Sequence, residues 1–217
     1  MTAKHKQQAK SLDYRPARPS DAEQASKLLF ASSPKKNTFI VGLGSESRAK
    51  KILSKIFKLE GHRFSYQFAE MALDNGKVVG MYLAYPGRSL TRLDWRLYRV
   101  MLSQYGLRGK LALISRSLPL IFIKEAARDE FLLSNLAVKK GQRGQGFGLQ
   151  ILKRVEQQAL ENNLRKIALM VSVDNQGAKR FYERHGYEVK AIHLESDKRV
   201  KVLGPGYLFM VKTLDQS

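Results

Sequence analysis

The sequence predicts an α+β domain, a mixed sheet flanked by helices. Three observations carry this. Strand-like runs slightly outnumber helical ones. Two of them meet at Asp74-Asn75-Gly76-Lys77, a strong hairpin turn signal. The run from Phe131 to Asn163, FLLSNLAVKKGQRGQGFGLQILKRVEQQALENN, reads as an apolar strand, a basic glycine-rich turn and a long amphipathic helix. Frequent hairpins argue against a purely parallel sheet.

In chain order, Leu12 to Ala17 alternates as a first strand. Pro19-Ser20-Asp21-Ala22-Glu23 opens a helix with Ser20 as cap and Glu23 completing a capping box. Ala25, Leu28 and Leu29 give that helix its buried face. After a break at Pro34-Lys35-Lys36-Asn37, a second helix runs from about Ser45 to Leu59 on the stripe Ile52, Leu53, Ile56 and Phe57. The hairpin joins Tyr66 to Leu73 with Val78 to Tyr85, and Pro86-Gly87 ends it.

Residues 88–128 are less regular. Arg88, Arg92, Arg96 and Arg99 share one helical face, and Leu90, Leu93, Leu97, Val100 and Met101 share another. A second apolar run, Leu111 to Ile123, is interrupted by Pro119. This is a helical insertion with one apolar side, suited to cap a pocket, to make a homodimer contact or simply to pack. Lys166 to Val173 is a strand, and Asp174-Asn175 begins a helix that Gly186 ends as a left-handed cap. Tyr187 to Leu194 and Tyr207 to Leu214 form a last antiparallel pair, linked by a basic loop with a Gly204-Pro205-Gly206 turn.

At 217 residues, 43% of them hydrophobic, the chain has enough apolar material for one full core. We expect a flexible tail over residues 1–11 and a single domain over 12–217. No apolar run reaches the roughly 20 residues that span a membrane. The polar N-terminus lacks a signal-peptide stretch, so a cytoplasmic location is expected. The absence of Cys excludes disulfides, thiolate metal sites and a cysteine nucleophile. His5, His62, His185 and His193 have no metal-ligand spacing, so no metal is expected. The formal charge of +20, from 39 Lys+Arg against 19 Asp+Glu, favours anionic partners. Nucleic acid, a membrane surface and phosphorylated cofactors all qualify, as does simple solubility; no nucleic-acid-binding motif is present.

The turn Arg143-Gly144-Gln145-Gly146-Phe147-Gly148 is where chemistry enters. Its alternate glycines let several N–H groups approach one anion, and the following helix N-terminus points at the same spot. A tight β–α turn with no ligand explains the same glycines. A nucleotide-triphosphate loop would need Gly-Lys-Ser/Thr where Gly148-Leu149-Gln150 stands. A dinucleotide fingerprint needs G-x-G-x-x-G instead of G-x-G-x-G, although Asp174 closes the next strand where a ribose-binding acid could lie.

NLAVKKGQRGQGFGLQIL followed by VSVDNQGAKRFYERHGYE resembles the acetyl-CoA-binding core of the GCN5-related N-acetyltransferases, the GNAT family. The family signature Gln/Arg-x-x-Gly-x-Gly/Ala matches Arg143, Gly146 and Gly148. Its Asn-x-x-Ala-x-x-x-Tyr element, ahead of Gly-Tyr/Phe, matches Asn175, Ala178, Tyr182 and Gly186-Tyr187. RPARPSDAEQASKLL also resembles the family's first strand and helix. The resemblance covers most of the chain except 88–128, which is similar to an insertion in some bacterial members.

The resemblance implies a mostly antiparallel sheet of about seven strands whose fourth and fifth, Leu132 to Val138 and Lys166 to Val173, splay apart. It implies acetyl-CoA as cosubstrate, with pantetheine amides pairing near Leu136, Ala137 and Val138. The pyrophosphate would take N–H groups of Arg143, Gly144, Gln145, Gly146, Phe147 and Gly148, and Asn175, Ala178 and Tyr182 would present one helical face to the cofactor. The implied reaction is direct attack of a primary amine on the thioester, its oxyanion polarised near Val138 and Tyr182 acting as general acid toward the thiolate. Family members with a carboxylate on the fourth strand find only Leu132, Ser134 and Asn135 matched here. Glu70, Glu130 and His193 are the remaining base candidates, beside a water relay. A non-catalytic acyl-CoA-binding regulatory domain and a basic nucleic-acid-associated protein stand as alternatives.

Overall fold

The structure is a computed structural model and describes residues 11–118 and 123–215. The expected tail, apart from Ser11, and the break at Pro119 lie outside the described residues. Strands β1 (Asp13–Pro16), β2 (Ala69–Asp74), β3 (Lys77–Pro86), β4 (Glu130–Val138), β5 (Lys166–Ser172), β6 (Glu188–Leu194) and β7 (Gly206–Thr213) form one sheet in the order β1-β2-β3-β4-β5-β7-β6. All neighbours pair antiparallel except β4 with β5. The seven-stranded mixed sheet agrees with the expectation.

Side-chain alternation sends the strands' apolar residues to two layers. One face carries Phe131, Leu133, Ile167 and Leu169 against helices α6 (Phe147–Glu161) and α7 (Gln176–Glu183). The other carries Met71, Met81, Leu83 and Ala137 against α1 (Ala22–Ser32) and α3 (Glu46–Phe57). The stripe Ile52, Leu53, Ile56 and Phe57 is buried as its 3.6-residue period requires.

Three local expectations need correction. Ser20 does not cap α1: Asp21 takes that corner, accepting from Arg18 N–H at 2.7 Å while Arg15 holds both its oxygens at 2.8 Å. A carboxylate fixed by a bidentate arginine accepts more strongly at that corner than a lone hydroxyl. The break at Pro34–Asn37 is itself helical, as α2 (Pro34–Lys36) followed by a π-turn over Asn37–Val41. The buried Asn37 amide donates to Leu29 O at 2.9 Å and ties this segment to α1. The loop between β6 and β7 contains α8 (Asp197–Leu203), which buries Leu203.

The insertion is helical, as expected, with α4 (Leu90–Ser103) and α5 (Leu107–Ser117). Leu90, Leu93 and Met101 are buried and the arginine face is exposed.

Candidate active site

The centre of the fold is a gap in the sheet. Strand β4 stays paired with β3 to its end, where Val138 faces Gly80. Its parallel pairing with β5 stops at Leu133 and Leu169. β5 meanwhile continues along β7 as far as Ser172 and Tyr207. The two strands therefore diverge, and β4's edge from Ser134 onward has no strand partner on that side among the described residues. Register explains the divergence: Leu83 pairs with Asn135 and Ala84 with Leu133, leaving Ser134 as a bulge that bends the strand. Gly80 lets α6 close over this end, since a Cβ there would lie 2.8 Å from Ala137 O and 2.9 Å from Ile151 Cδ1.

The glycine turn sits at the mouth of the gap. Lys139 N–H donates to Val79 O at 2.8 Å, and a 3-10 turn over Lys140–Gln142 follows. Gly144 and Gly146 both take φ of 80°, a conformation that L side chains adopt at a cost. Space is not the constraint, because a Cβ at either meets nothing within 4 Å. Helix α6 starts immediately afterwards, and its Leu149 and Gln150 N–H groups are taken by Gly146 O. The N–H groups of Gly144 to Gly148 have no acceptor among the described residues. Arg143 Nε donates to Val138 O at 3.3 Å, which draws its cation back across the gap.

Helix α7 closes the other side. Asn175 Oδ1 caps it by accepting from Ala178 N–H at 3.1 Å. Phe181 approaches the turn closely enough that a Cβ on Gly148 would lie 3.7 Å from its ring. Tyr182 packs edge-on against Phe181 and Tyr187, with ring centroids 5.2 and 5.5 Å away. Burial pushes its hydroxyl well above the ordinary tyrosine value, so it stays protonated at neutral pH. Ala178 and Tyr182 touch the same core cluster as Leu136 and Val138.

The two carboxylate candidates for a base fare differently. Glu70 receives Arg154 through Nε at 3.0 Å and Nη2 at 2.9 Å, and Tyr82 Oη at 2.7 Å. Burial alone would raise its pKa, but these hydrogen bonds outweigh burial and hold it below the usual carboxylate range. A carboxylate so engaged is a poor proton acceptor. Glu130 begins β4 at the closed end of the gap and accepts Ala127 N–H at 2.6 Å. Val138 lies eight positions further on, about 26 Å along a strand. Neither reaches the mouth with a free oxygen.

What sequence reasoning missed is a charged cluster on the α1 face of the gap. Arg63 Nη1 donates to Asp94 at 3.0 Å and Glu125 at 3.2 Å, while Nη2 bonds Glu125 and Ser134 Oγ. Lys36 Nζ lies 3.9 Å from Glu125 and 5.7 Å from the Tyr207 ring centroid. Ser134 belongs to β4 and Tyr207 to the strand paired with β5, so the cluster bridges the divergence. Burial lowers the Lys36 pKa; for Glu125, burial is outweighed by Arg63 and Lys36, which hold it low. Next to it Glu195 is fully enclosed, with His193 Nε2 at 3.7 Å and Arg199 Nη2 at 2.7 Å. Tyr85 Oη, Arg63 Nε and His193 Nε2 are buried without a hydrogen-bond partner, and the Glu195 carboxylate has the Arg199 ion pair at Oε2 and no hydrogen bond at Oε1. The one sequence signal was Asp94, the lone acid of a basic segment.

A model of the acetyltransferase (GNAT) family matches residues 39–187, well over half of the chain. Among solved structures, one described as an acetyltransferase aligns with TM-score 0.69 and 22% identity over 94% of this chain and 100% of that chain. An N-acetyltransferase from Staphylococcus aureus Mu50 aligns with TM-score 0.71 and 19% identity over 92% of this chain and 99% of that one. Ard1 from Thermoplasma volcanium gives TM-score 0.53 and 15% identity over 94% and 99%. At these identities the structures speak for the fold. A search of curated proteins returns no match. Sequence model, sheet order and strand divergence agree: the chain belongs to the acetyltransferase (GNAT) family.

Proposed function

We propose that this protein transfers the acetyl group of acetyl-CoA to a primary amine by direct attack within a ternary complex, residues 12–217 acting as one catalytic domain. The observation that carries the reading is the gap beside β4, followed by a turn in which the N–H groups of Gly144 to Gly148 have no acceptor among the described residues. Hydrogen bonds to a charged group are each worth about 1.5–3 kcal/mol, so a few of those N–H groups suffice to hold a pyrophosphate. The free edge of Leu136, Ala137 and Val138 suits an amide-bearing arm laid down as an added strand. The Val138 carbonyl is occupied by Arg143 and would have to be released.

The acceptor amine is assigned to the α1 face, beneath the cluster of Lys36, Arg63 and Glu125. An amine of pKa about 10.4 costs roughly 4.6 kcal/mol to neutralise at pH 7, so a proton path is required. Buried polar atoms without protein partners are the usual seats of ordered water. Tyr85 Oη and His193 Nε2 supply such seats, and we assign the path to water along them, ending on Glu195 Oε1, the oxygen that the Arg199 ion pair leaves open. Tyr182 acts as the acid toward the departing thiolate.

A non-catalytic acyl-CoA-binding role draws support from the engagement of Glu70 and Glu130 with other partners. Thiol release from acetyl-CoA across a panel of primary amines decides between the two. Amine-dependent release is expected; cofactor binding without release for any amine would overturn the enzymatic reading.

A further inference from the structure

The insertion carries a surface pattern that acetyl transfer does not use. From Arg88 to Lys124 the sequence holds eight Lys or Arg residues and one acid, Asp94. Asp94 is already engaged by Arg63. Arg88, Arg92, Arg96, Arg99, Arg108 and Lys110 have no carboxylate partner among the described residues. The segment is therefore strongly and openly cationic.

Part of its apolar surface faces outward as well. On α4, Trp95 is 67% exposed and shares a helical face with Arg92, Arg96 and Arg99. On α5, Leu107 and Leu111 are 75% and 61% exposed, and Ile114 and Leu118 continue the same stripe. Leu113 is the one side chain that α5 buries. A surface helix of a globular protein ordinarily turns its leucine stripe inward. Here the stripe is turned out, flanked by Arg108 and Lys110, in a helix with no acidic residue.

Charge and apolarity together select the occupant. A second copy would bring two strongly cationic segments face to face, which like-charge repulsion opposes. A nucleic acid would satisfy the cations and leave the leucine stripe wet. An anionic bilayer surface takes both: headgroup phosphates meet Arg and Lys, the acyl boundary accepts leucine, and tryptophan favours the interface between them. No helix among the described residues is long and apolar enough to cross a membrane. We propose that the α4–α5 insertion docks this protein peripherally on anionic phospholipid surfaces. The proposal stands apart from the acetyl-transfer reading and is tested without it.

Trp95 is the chain's one tryptophan, so its fluorescence reports on this face alone. The full chain is mixed with vesicles of phosphatidylglycerol and phosphatidylcholine, and with phosphatidylcholine alone. Expected are cosedimentation with the anionic vesicles only, reversal by salt, a blue shift of Trp95 and its shielding from acrylamide. The double variant Leu107→Asp, Leu111→Asp changes two exposed positions, so its fold is expected to survive by circular dichroism. It should cut partitioning about tenfold or more, and each of Arg92→Gln and Arg99→Gln about fivefold. Absence of cosedimentation overturns the proposal. So does binding that leaves Trp95 unshifted, binding undiminished in the double aspartate variant, or a face that retains duplex DNA or an acidic protein while ignoring anionic vesicles.

Discussion

Ser134 and Asn135 are consecutive residues of β4, yet both point to the α1 face of the sheet. Ser134 Oγ accepts from Arg63 Nη2 at 3.2 Å and Asn135 Nδ2 donates to Ser32 Oγ at 2.8 Å. Strand geometry would place them on opposite faces, and the bulge at Ser134 is what overrides it. The bulge parts β4 from β5 and gives the buried Arg63 a partner on the strand.

Arg63 and Glu125 form a pair that is costly to break on one side. Glu125→Leu should destabilise by about 3–5 kcal/mol, because it leaves a buried guanidinium with Asp94 as its one carboxylate among the described residues. The double variant Arg63→Met, Glu125→Leu should recover most of that loss. Urea unfolding of the wild type, Glu125→Leu, Arg63→Met and the double variant gives the coupling. Additive losses would mean the two side chains do not act as a pair.

Gly146→Val should weaken acetyl-CoA binding at least tenfold by calorimetry, since a branched side chain at a φ of 80° distorts the turn. Because the Cβ itself meets no atom, Gly146→Ala should lose only about 1–2 kcal/mol of stability, from backbone strain. Normal affinity in the valine variant would remove the turn from the binding site.

Tyr182→Phe should lower turnover about a hundredfold and leave the apparent affinity for acetyl-CoA nearly unchanged. Burial raises the Tyr182 pKa above its ordinary 10.0, so the acid form persists as pH rises to that value. The wild-type rate should accordingly not fall with a midpoint at or below pH 10. A variant with wild-type turnover would exclude Tyr182 from the chemistry.

Glu70 makes a stability prediction with a defined sign. Its folded pKa lies below the ordinary 4.5, so the pair with Arg154 stabilises fully above that value and loses its effect as pH falls through the lower, folded pKa. Glu70→Gln should cost about 1–3 kcal/mol at pH 7 and progressively less below pH 4.5. Turnover of the folded variant at pH 7 should stay near wild type, in contrast to a catalytic base. A hundredfold loss of turnover would restore Glu70 to the mechanism.

Glu195→Gln keeps the shape of the enclosed side chain and removes its proton affinity. Turnover should fall about a hundredfold at pH 7 and recover as the amine deprotonates at higher pH. A uniform loss at all pH values would mark Glu195 as structural.

Much of this molecule was determined locally, and local features are what a sequence writes down. The Asn75-Gly76 hairpin, the amphipathic α3 and α6, the left-handed Gly186 and the cap at Asn175 each follow from residues within a few positions of one another. The motif pair Arg143–Gly148 and Asn175–Tyr182 was legible for the same reason. Tertiary structure alone decided the rest. That Glu70 is neutralised depends on Arg154, 84 positions away. That Arg63, Asp94, Glu125 and Lys36 enclose one another depends on four segments meeting where two strands part. Charges hold such positions because burial makes each ion need its partner, and a need satisfied across space leaves no period or spacing along the chain.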